Sequence, residues 1–172
     1  MLNATLNNGA RTPPPYASDA FVAKIADMSP TPGTVSLWGF IDSAGNITVP
    51  LLGIGPVPGA TFDATVQFNS GDPSPTGDVR YTDLVTGADI AATSFTTLVI
   101  GAGPCGPDTH ALIIGKATVN GVPDQDLQVD VDDCSEPSSQ PPDTLMITTG
   151  PTQVYANGGP LVVGNIQVKK AQ

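Results

Sequence analysis

Few side chains in this 172-residue chain could carry chemistry. His110 is the only histidine, and no G-x-S-x-G elbow supplies the serine of a Ser-His-Asp triad. A Cys-His pair would need Cys105 or Cys134, but a disulfide between them would consume both thiols. The segment IGAGPCG (100–106) lacks the GxGxxG spacing of a nucleotide loop. The sequence therefore predicts a protein that is not an enzyme.

The two cysteines are predicted to lie at the same end of a sheet. Cys105 follows the strand predicted over 95–100, and Cys134 follows the strand predicted over 127–132. An intervening strand over 111–119 turns at Asn120-Gly121 and so reverses the chain between them. We expect a Cys105–Cys134 disulfide. The alternative is two free thiols in a reducing cytosol.

Acidic residues concentrate where the second cysteine lies. Asp130 and Asp132 share one face of a predicted strand, with Asp133 and Glu136 in the loop beyond. Hard oxygen ligands so placed could hold Ca²⁺, although the EF-hand spacing is absent. The alternative is solvated carboxylates on an exposed face, with no cofactor at all.

Three aromatic residues are candidates for stacking against a ligand. Trp38, Tyr81 and Tyr155 lie in or beside predicted strands, and aromatic rings serve both as stacking platforms and as core residues. The sequence leaves both roles open.

Composition favours strands and turns over helices. The chain has 19 Gly, 18 Pro and only 13% charged residues, and every acid except Glu136 is Asp. Gly, Pro and Asp favour turns and disfavour helix interiors. A net charge of −10 argues against a nucleic-acid partner, since phosphate binding needs basic clusters. No apolar stretch is long enough to predict membrane insertion.

About ten short strands are predicted from residue 34 onward. The clearest is 61–68, which alternates Phe62, Ala64, Val66 and Phe68 with polar residues. The other predicted strands are 34–41, 47–52, 79–84, 95–100, 111–119, 127–132, 144–148, 153–155 and 166–168. We expect an all-β antiparallel β-sandwich over 34–172, because two packed sheets would cover each other's apolar faces.

Residues 1–33 are predicted to form an extended arm rather than part of the sandwich. They contain Pro-rich stretches at 13–15 and 29–33, with Phe21, Val22 and Ile25 between them. These apolar residues could contact a neighbouring subunit. Alternatively, the segment packs along its own domain.

The second half resembles a known family. The segments Gly115–Gly121, Asp133–Ser138, Asp143–Ile147 and Gly164–Lys169 are similar to the turns and strands of the post-COAP type of C-terminal module, found in bacterial secreted and cell-surface proteins. WGFIDSAGN (38–46) and ATFDATVQF (60–68) extend the resemblance more loosely to about residues 35–170. Cys134-Ser135 and Leu145 depart from the family pattern, in which Asn-Gly and Phe are frequent. The resemblance implies an all-β domain of extracytoplasmic type and no transferable activity.

These observations predict a structural protein at a virion or extracellular surface. The expected role is a subunit of an external assembly, such as a capsid decoration, a tail-associated protein or a surface fibre. Its partners would be other protein subunits, in a homo-oligomer or a capsid or fibre assembly. The N-terminus lacks the pattern of a signal peptide. Either a signal was removed, or the protein is made without one, and the second case fits a virion component assembled inside a host cell. The alternative is a secreted adhesion module that binds a glycan or is stabilised by calcium.

Overall fold

The computed structural model describes residues 29–41, 59–134 and 141–172. These residues form strands and turns, and none of them lies in a helix. Consequently, the described part of the chain has no helix that could span a bilayer. The predicted strand over 47–52 and most of the predicted arm lie outside the described residues.

Eight antiparallel strands follow one another around a closed barrel. They are β1 (Gly33–Ile41), β2 (Ala60–Phe68), β3 (Thr76–Asp83), β4 (Asp89–Gly103), β5 (Gly106–Val119), β6 (Val122–Asp132), β7 (Thr144–Gly150) and β8 (Tyr155–Lys170). The barrel closes because β1 pairs with β8 from Gly33↔Lys170 to Ile41↔Leu161. The predicted β-sandwich is therefore wrong. Closure removes the free edges that two open sheets would leave.

Alternation places the apolar residues inside the barrel. In β2, Phe62, Ala64 and Val66 are buried, whereas Asp63 and Thr65 between them are exposed. Residues from all eight strands join this core. Each large apolar side chain that is removed from water contributes roughly 1.5–3 kcal/mol, so the filled interior is the main source of stability.

Two of the predicted short strands belong to one long strand. The segments 153–155 and 166–168 both fall in or next to β8, which runs through Gly158, Gly159 and Gly164. Gly158 and Gly164 permit close approach of the neighbouring strands, and none of the three glycines ends the strand. A Cβ on Gly158 would lie 2.4 Å from the carbonyl oxygen of Leu145 on β7.

The hairpin turn between β5 and β6 lies where it was predicted. Asn120 and Gly121 have φ of 51° and 79°, and the ladder closes on the Val119↔Val122 pair. Positive φ at both central residues is what a type I′ turn requires, and Asn-Gly adopts it readily. This turn sets the register that brings the ends of β4 and β6 together at the other end of the barrel.

Candidate functional site

An outer apolar patch, defined here as Trp38, Phe40 and Val163, lies on the outside of the barrel. Val35, Leu37 and Ile41 of β1 point inward, so Trp38 and Phe40 point outward. Phe40 lies opposite Val163 on β8. Trp38 is 54% exposed and Val163 is 48% exposed. Exposed apolar side chains on neighbouring strands are typical of an interaction site.

Two facing glycines bring β1 and β8 together beneath this patch. Gly39 and Gly164 are paired, with φ of 144° and 129°. A Cβ on Gly39 would lie 2.2 Å from the carbonyl oxygen of Val163, and one on Gly164 would lie 2.0 Å from that of Trp38. Only glycine fits at both positions, so this pair holds the two strands that carry the patch.

Polar residues flank Trp38 on both neighbouring strands. Asp63 is its partner on β2 and Asn165 is its partner on β8. The Oδ1 atom of Asn165 is buried and has no hydrogen-bond partner in the described part of the chain. Trp38 thus presents an exposed ring, whereas the amide oxygen of its neighbour Asn165 is shielded from solvent.

The acids of β6 are placed differently from the prediction. Asp130 and Asp132 do share the outward face, but Asp130 is only 6% exposed. The Nδ1 atom of His110 lies 2.9 Å from Oδ1 of Asp132 and 3.8 Å from Oδ1 of Asp130. The expectation of a solvated acidic face is wrong for Asp130, and its ladder partner Leu112 is buried as well.

Of the other two calcium candidates, only Asp133 lies in the described residues. The carboxylate of Asp133 accepts a hydrogen bond from the amide of Val168 at 2.9 Å, and Glu136 lies outside the described residues. Across residues 29–41, 59–134 and 141–172, no three His, Cys, Asp or Glu side chains are grouped so as to hold a metal ion. A calcium site stays a prediction.

The predicted disulfide is present. Cys105 lies in the β4–β5 turn, and Cys134 follows β6 at the same end of the barrel, with their Cα atoms 5.0 Å apart. Asp143 supports this end, since its two carboxylate oxygens accept the amides of Cys134 and Ile166, each at 2.8 Å. Both thiols are consumed, so neither pairs with His110 as a nucleophile.

Tyr81 and Tyr155 lie in the barrel interior and are not offered to a ligand on the surface. Asn157 donates to the hydroxyl of Tyr81 at 2.7 Å, the two tyrosine hydroxyls are 2.9 Å apart, and Tyr155 donates to Asp83 at 2.8 Å. Burial raises the pKa of both tyrosines. Burial also acts to raise the pKa of Asp83, but hydrogen bonds from Thr86, Tyr155 and Val85 outweigh it and hold that pKa below its usual value.

A groove separates the beginning of β3 from the part of β4 that follows Ala91. It was not predicted from the sequence. Only three pairs join these strands, from Arg80↔Ala91 to Thr82↔Asp89, although β3 has 8 residues and β4 has 15. The β3–β4 groove has a volume of about 280 Å³ and is lined by Ser74–Gly77 and Ala92–Phe95. The sequence contains no signal of this groove, because the strands predicted there, 79–84 and 95–100, are equally long.

The arm candidates Phe21, Val22 and Ile25 lie outside the described residues. The chain enters the barrel beside β4, because the amide of Thr31 donates to the carbonyl oxygen of Leu98 at 2.8 Å. The amide of Ala171 donates to the carbonyl oxygen of Pro32 at 2.9 Å. This bond joins the residue before β1 to the residue after β8.

Comparison with protein-family models, with curated proteins and with solved structures finds no match. The resemblance to the post-COAP type of module therefore stays a prediction.

Proposed function

We propose that this chain is a non-catalytic structural subunit of an external assembly, such as a virion decoration, a tail-associated protein or a surface fibre. Its arm contacts neighbouring subunits, and a neighbouring copy covers the outer apolar patch. The observation that carries the proposal is Trp38, which is 54% exposed on a barrel whose inward positions are already filled. Exposed tryptophan is among the residues most enriched at the centres of protein interfaces.

Two further features support this role. The disulfide is expected to persist outside a reducing cytosol, which fits a surface location. The lone histidine is 3% exposed and bonded to Asp132, so it serves the fold and is not presented to a substrate. Both features favour a stable scaffold over a catalytic domain.

The test is the oligomeric state of the full chain, measured by sedimentation equilibrium over a range of concentrations. We expect the wild type to self-associate. Trp38→Ser and the arm variant Phe21→Asp/Val22→Asp/Ile25→Asp should each weaken association about tenfold or more, because each removes a large apolar contact. Val154→Ser is the matched control, since Val154 is 80% exposed but lies on the turn before β8, away from the patch.

Circular dichroism would check that every variant is folded. A wild-type chain that remains monomeric at all concentrations would contradict the proposal, as would association that neither variant weakens.

The alternative is a secreted adhesion module that binds a glycan at Trp38. The exposed indole of Trp38 favours it, because sugars stack on aromatic faces. Under this alternative, a glycan array should show binding by the wild type that Trp38→Ala abolishes. A blank array would count against it.

A further inference from the structure

The β3–β4 groove leaves backbone groups of both strands without a neighbouring strand. Pairing stops after Arg80↔Ala91, so the stretch of β3 from Thr76 to Val79 has a partner only in β2. Unpaired strand edges recruit extended segments that complete the ladder. Elsewhere the barrel satisfies such an edge itself: beyond its pairing with β7, β8 donates two amides to Asp133 and Asp143. Within the described residues, no side-chain carboxylate accepts a backbone amide of β3 or β4 at the groove.

The lining of the groove selects an uncharged occupant. Its residues are small, apolar or hydroxylated, and none carries a charge: Ser74, Pro75, Thr76, Gly77, Ala92, Thr93, Ser94 and Phe95. A short extended segment with at most one charge, which can point outward, would fit there without burying an unpaired ion.

We propose that the β3–β4 groove receives residues 20–25 from the arm of a second copy of this chain as an added strand. This inference rests on the proposed function and deepens it, because it assigns the site at which the arm contacts its neighbour.

The arm contains one segment suited to this role. From Tyr16 to Met28 the sequence has neither proline nor glycine, so every residue there has an amide to donate to a ladder. In an extended chain Phe21 and Ile25 share a face with Ala23, while Lys24, the only charge in 20–25, falls on the other face. One face can therefore enter the groove while the charge points to solvent.

The position at which each chain enters its own barrel favours a neighbour's arm. The amide of Thr31 donates to Leu98, and Pro30 next to it has no amide with which to continue such bonding along β4. Ser94 is four residues from Leu98, about 13 Å along a strand, whereas Val22 is nine residues from Thr31, about 30 Å when extended. A chain's own segment would overshoot its own groove, and a neighbour's segment has no such restraint.

An arm that enters the next subunit's groove makes a head-to-tail contact. Reciprocal exchange of arms between two copies would give a closed dimer, whereas one-way contacts would give rings or open filaments. The one-way arrangement is the one that suits a surface fibre.

Cysteine cross-linking between differently labelled full-length copies tests the proposal. The only native cysteines already form a disulfide, so one added cysteine per chain reports a single contact. A Val22→Cys chain mixed with a Ser94→Cys chain should give a mixed dimer on a non-reducing gel after mild oxidation. Replacing Ser94→Cys by Val154→Cys, which is exposed on the β7–β8 turn, should reduce that product to background.

Sedimentation of a charge variant gives a second, independent measurement. Ser94 is exposed, so Ser94→Lys should leave the fold intact while opposing entry of an apolar strand. We expect it to weaken association about tenfold or more, and Val154→Lys to leave association unchanged.

The outcomes separate this proposal from the proposed function. Association that Ser94→Lys does not weaken, with no mixed dimer, would overturn the groove assignment and leave the structural role standing. A cross-link that forms only within one chain, in the Val22→Cys/Ser94→Cys variant, would overturn the role of the second copy. A chain that is monomeric at every concentration would overturn both proposals.

Discussion

Acids on one strand of this barrel serve different purposes. Asp132 accepts hydrogen bonds on both oxygens, from His110 at 2.9 Å and from Thr144 at 3.0 Å. Asp126, also outward on β6, forms an exposed ion pair with Lys116. The hydrogen bonds of Asp132 join β5, β6 and β7 in a region shielded from water. The ion pair of Asp126 with Lys116 is weakened by solvent screening.

Substitution of these two acids should have unequal effects on stability. Asp132→Ala should lower the free energy of unfolding by about 1–3 kcal/mol, because it leaves the buried His110 without this partner. Asp126→Ala is the matched control and should change it by less than about 1 kcal/mol. Urea denaturation monitored by circular dichroism measures both, and equal losses would contradict this account of β6.

The sequence predicted some residue roles and missed others for a physical reason. The cysteine pairing followed from strand direction, which the Asn120-Gly121 turn determines locally. The burial of Asp130 could not be predicted in this way. Alternation gives the direction of a side chain on a strand, but it does not show whether an outward residue is covered or solvated. Alternation is clear in β3, where Tyr81 falls in with Val79, but it is weaker in β1, where apolar residues lie on both faces and the outward direction of Trp38 is harder to predict.

The chain of hydrogen bonds from Asn157 through Tyr81 and Tyr155 to Asp83 joins β8 to β3 through the interior. Tyr81 is 1% exposed, and its ring centroid lies 5.8 Å from that of Tyr155. These residues connect strands that are not neighbours in the barrel, so they should resist separation of β3 from the rest of the wall.

Stability should fall in alkaline solution through these two tyrosines. Their folded-state pKa values are raised by burial, so their contribution is complete below the unfolded pKa of about 10 and is lost as the pH rises beyond it. The melting temperature should therefore decline above about pH 10, and less steeply in Tyr155→Phe than in the wild type. Parallel declines in the two proteins would contradict the prediction.

Stability should also fall in acid solution, through protonation of Asp83. Its pKa is lowered in the folded state, so its contribution is present above the unfolded value of about 3.9 and is lost as the pH falls through the folded value. The same Tyr155→Phe comparison, extended to low pH, should show a smaller acid loss in the variant, because one donor to Asp83 is gone.

Strand existence was predictable, but strand length was not. Alternating residues located parts of all eight strands, including β2 with its inward Phe62, Ala64 and Val66. Glycines at 158, 159 and 164 looked like breaks because glycine weakens an isolated strand. Inside the closed barrel, Gly158 and Gly164 are positions where neighbouring backbones come close, and that requirement appears only once the partner strand is in place.

At the scale of the whole molecule, a sandwich and a barrel have the same inward and outward pattern. Both bury every second residue of each strand, so composition and alternation favour them equally. What distinguishes them is the β1–β8 ladder, a pairing between the two ends of the described barrel that no local signal encodes.

The disulfide should stabilise the fold by lowering the conformational entropy of the unfolded chain. It links residues 29 apart in sequence, and a closed loop of that size contributes roughly 3–4 kcal/mol in the chain-entropy model. Cys105→Ser/Cys134→Ser should therefore lower the free energy of unfolding by about that amount in urea. A wild-type protein that loses nothing on reduction would contradict it.

The pairing of Gly33 with Lys170 also determines how the barrel responds to mechanical load. Both residues lie at the same end of adjacent antiparallel strands, and the Ala171–Pro32 hydrogen bond lies just outside them. A force that pulls Gly33 and Lys170 apart would break the β1–β8 ladder one residue pair at a time, beginning at this end. A force applied between residue 33 and the Asn120-Gly121 turn would instead be shared along the length of the barrel. A subunit held by its arm would thus withstand tension transmitted through its body better than tension between its own ends.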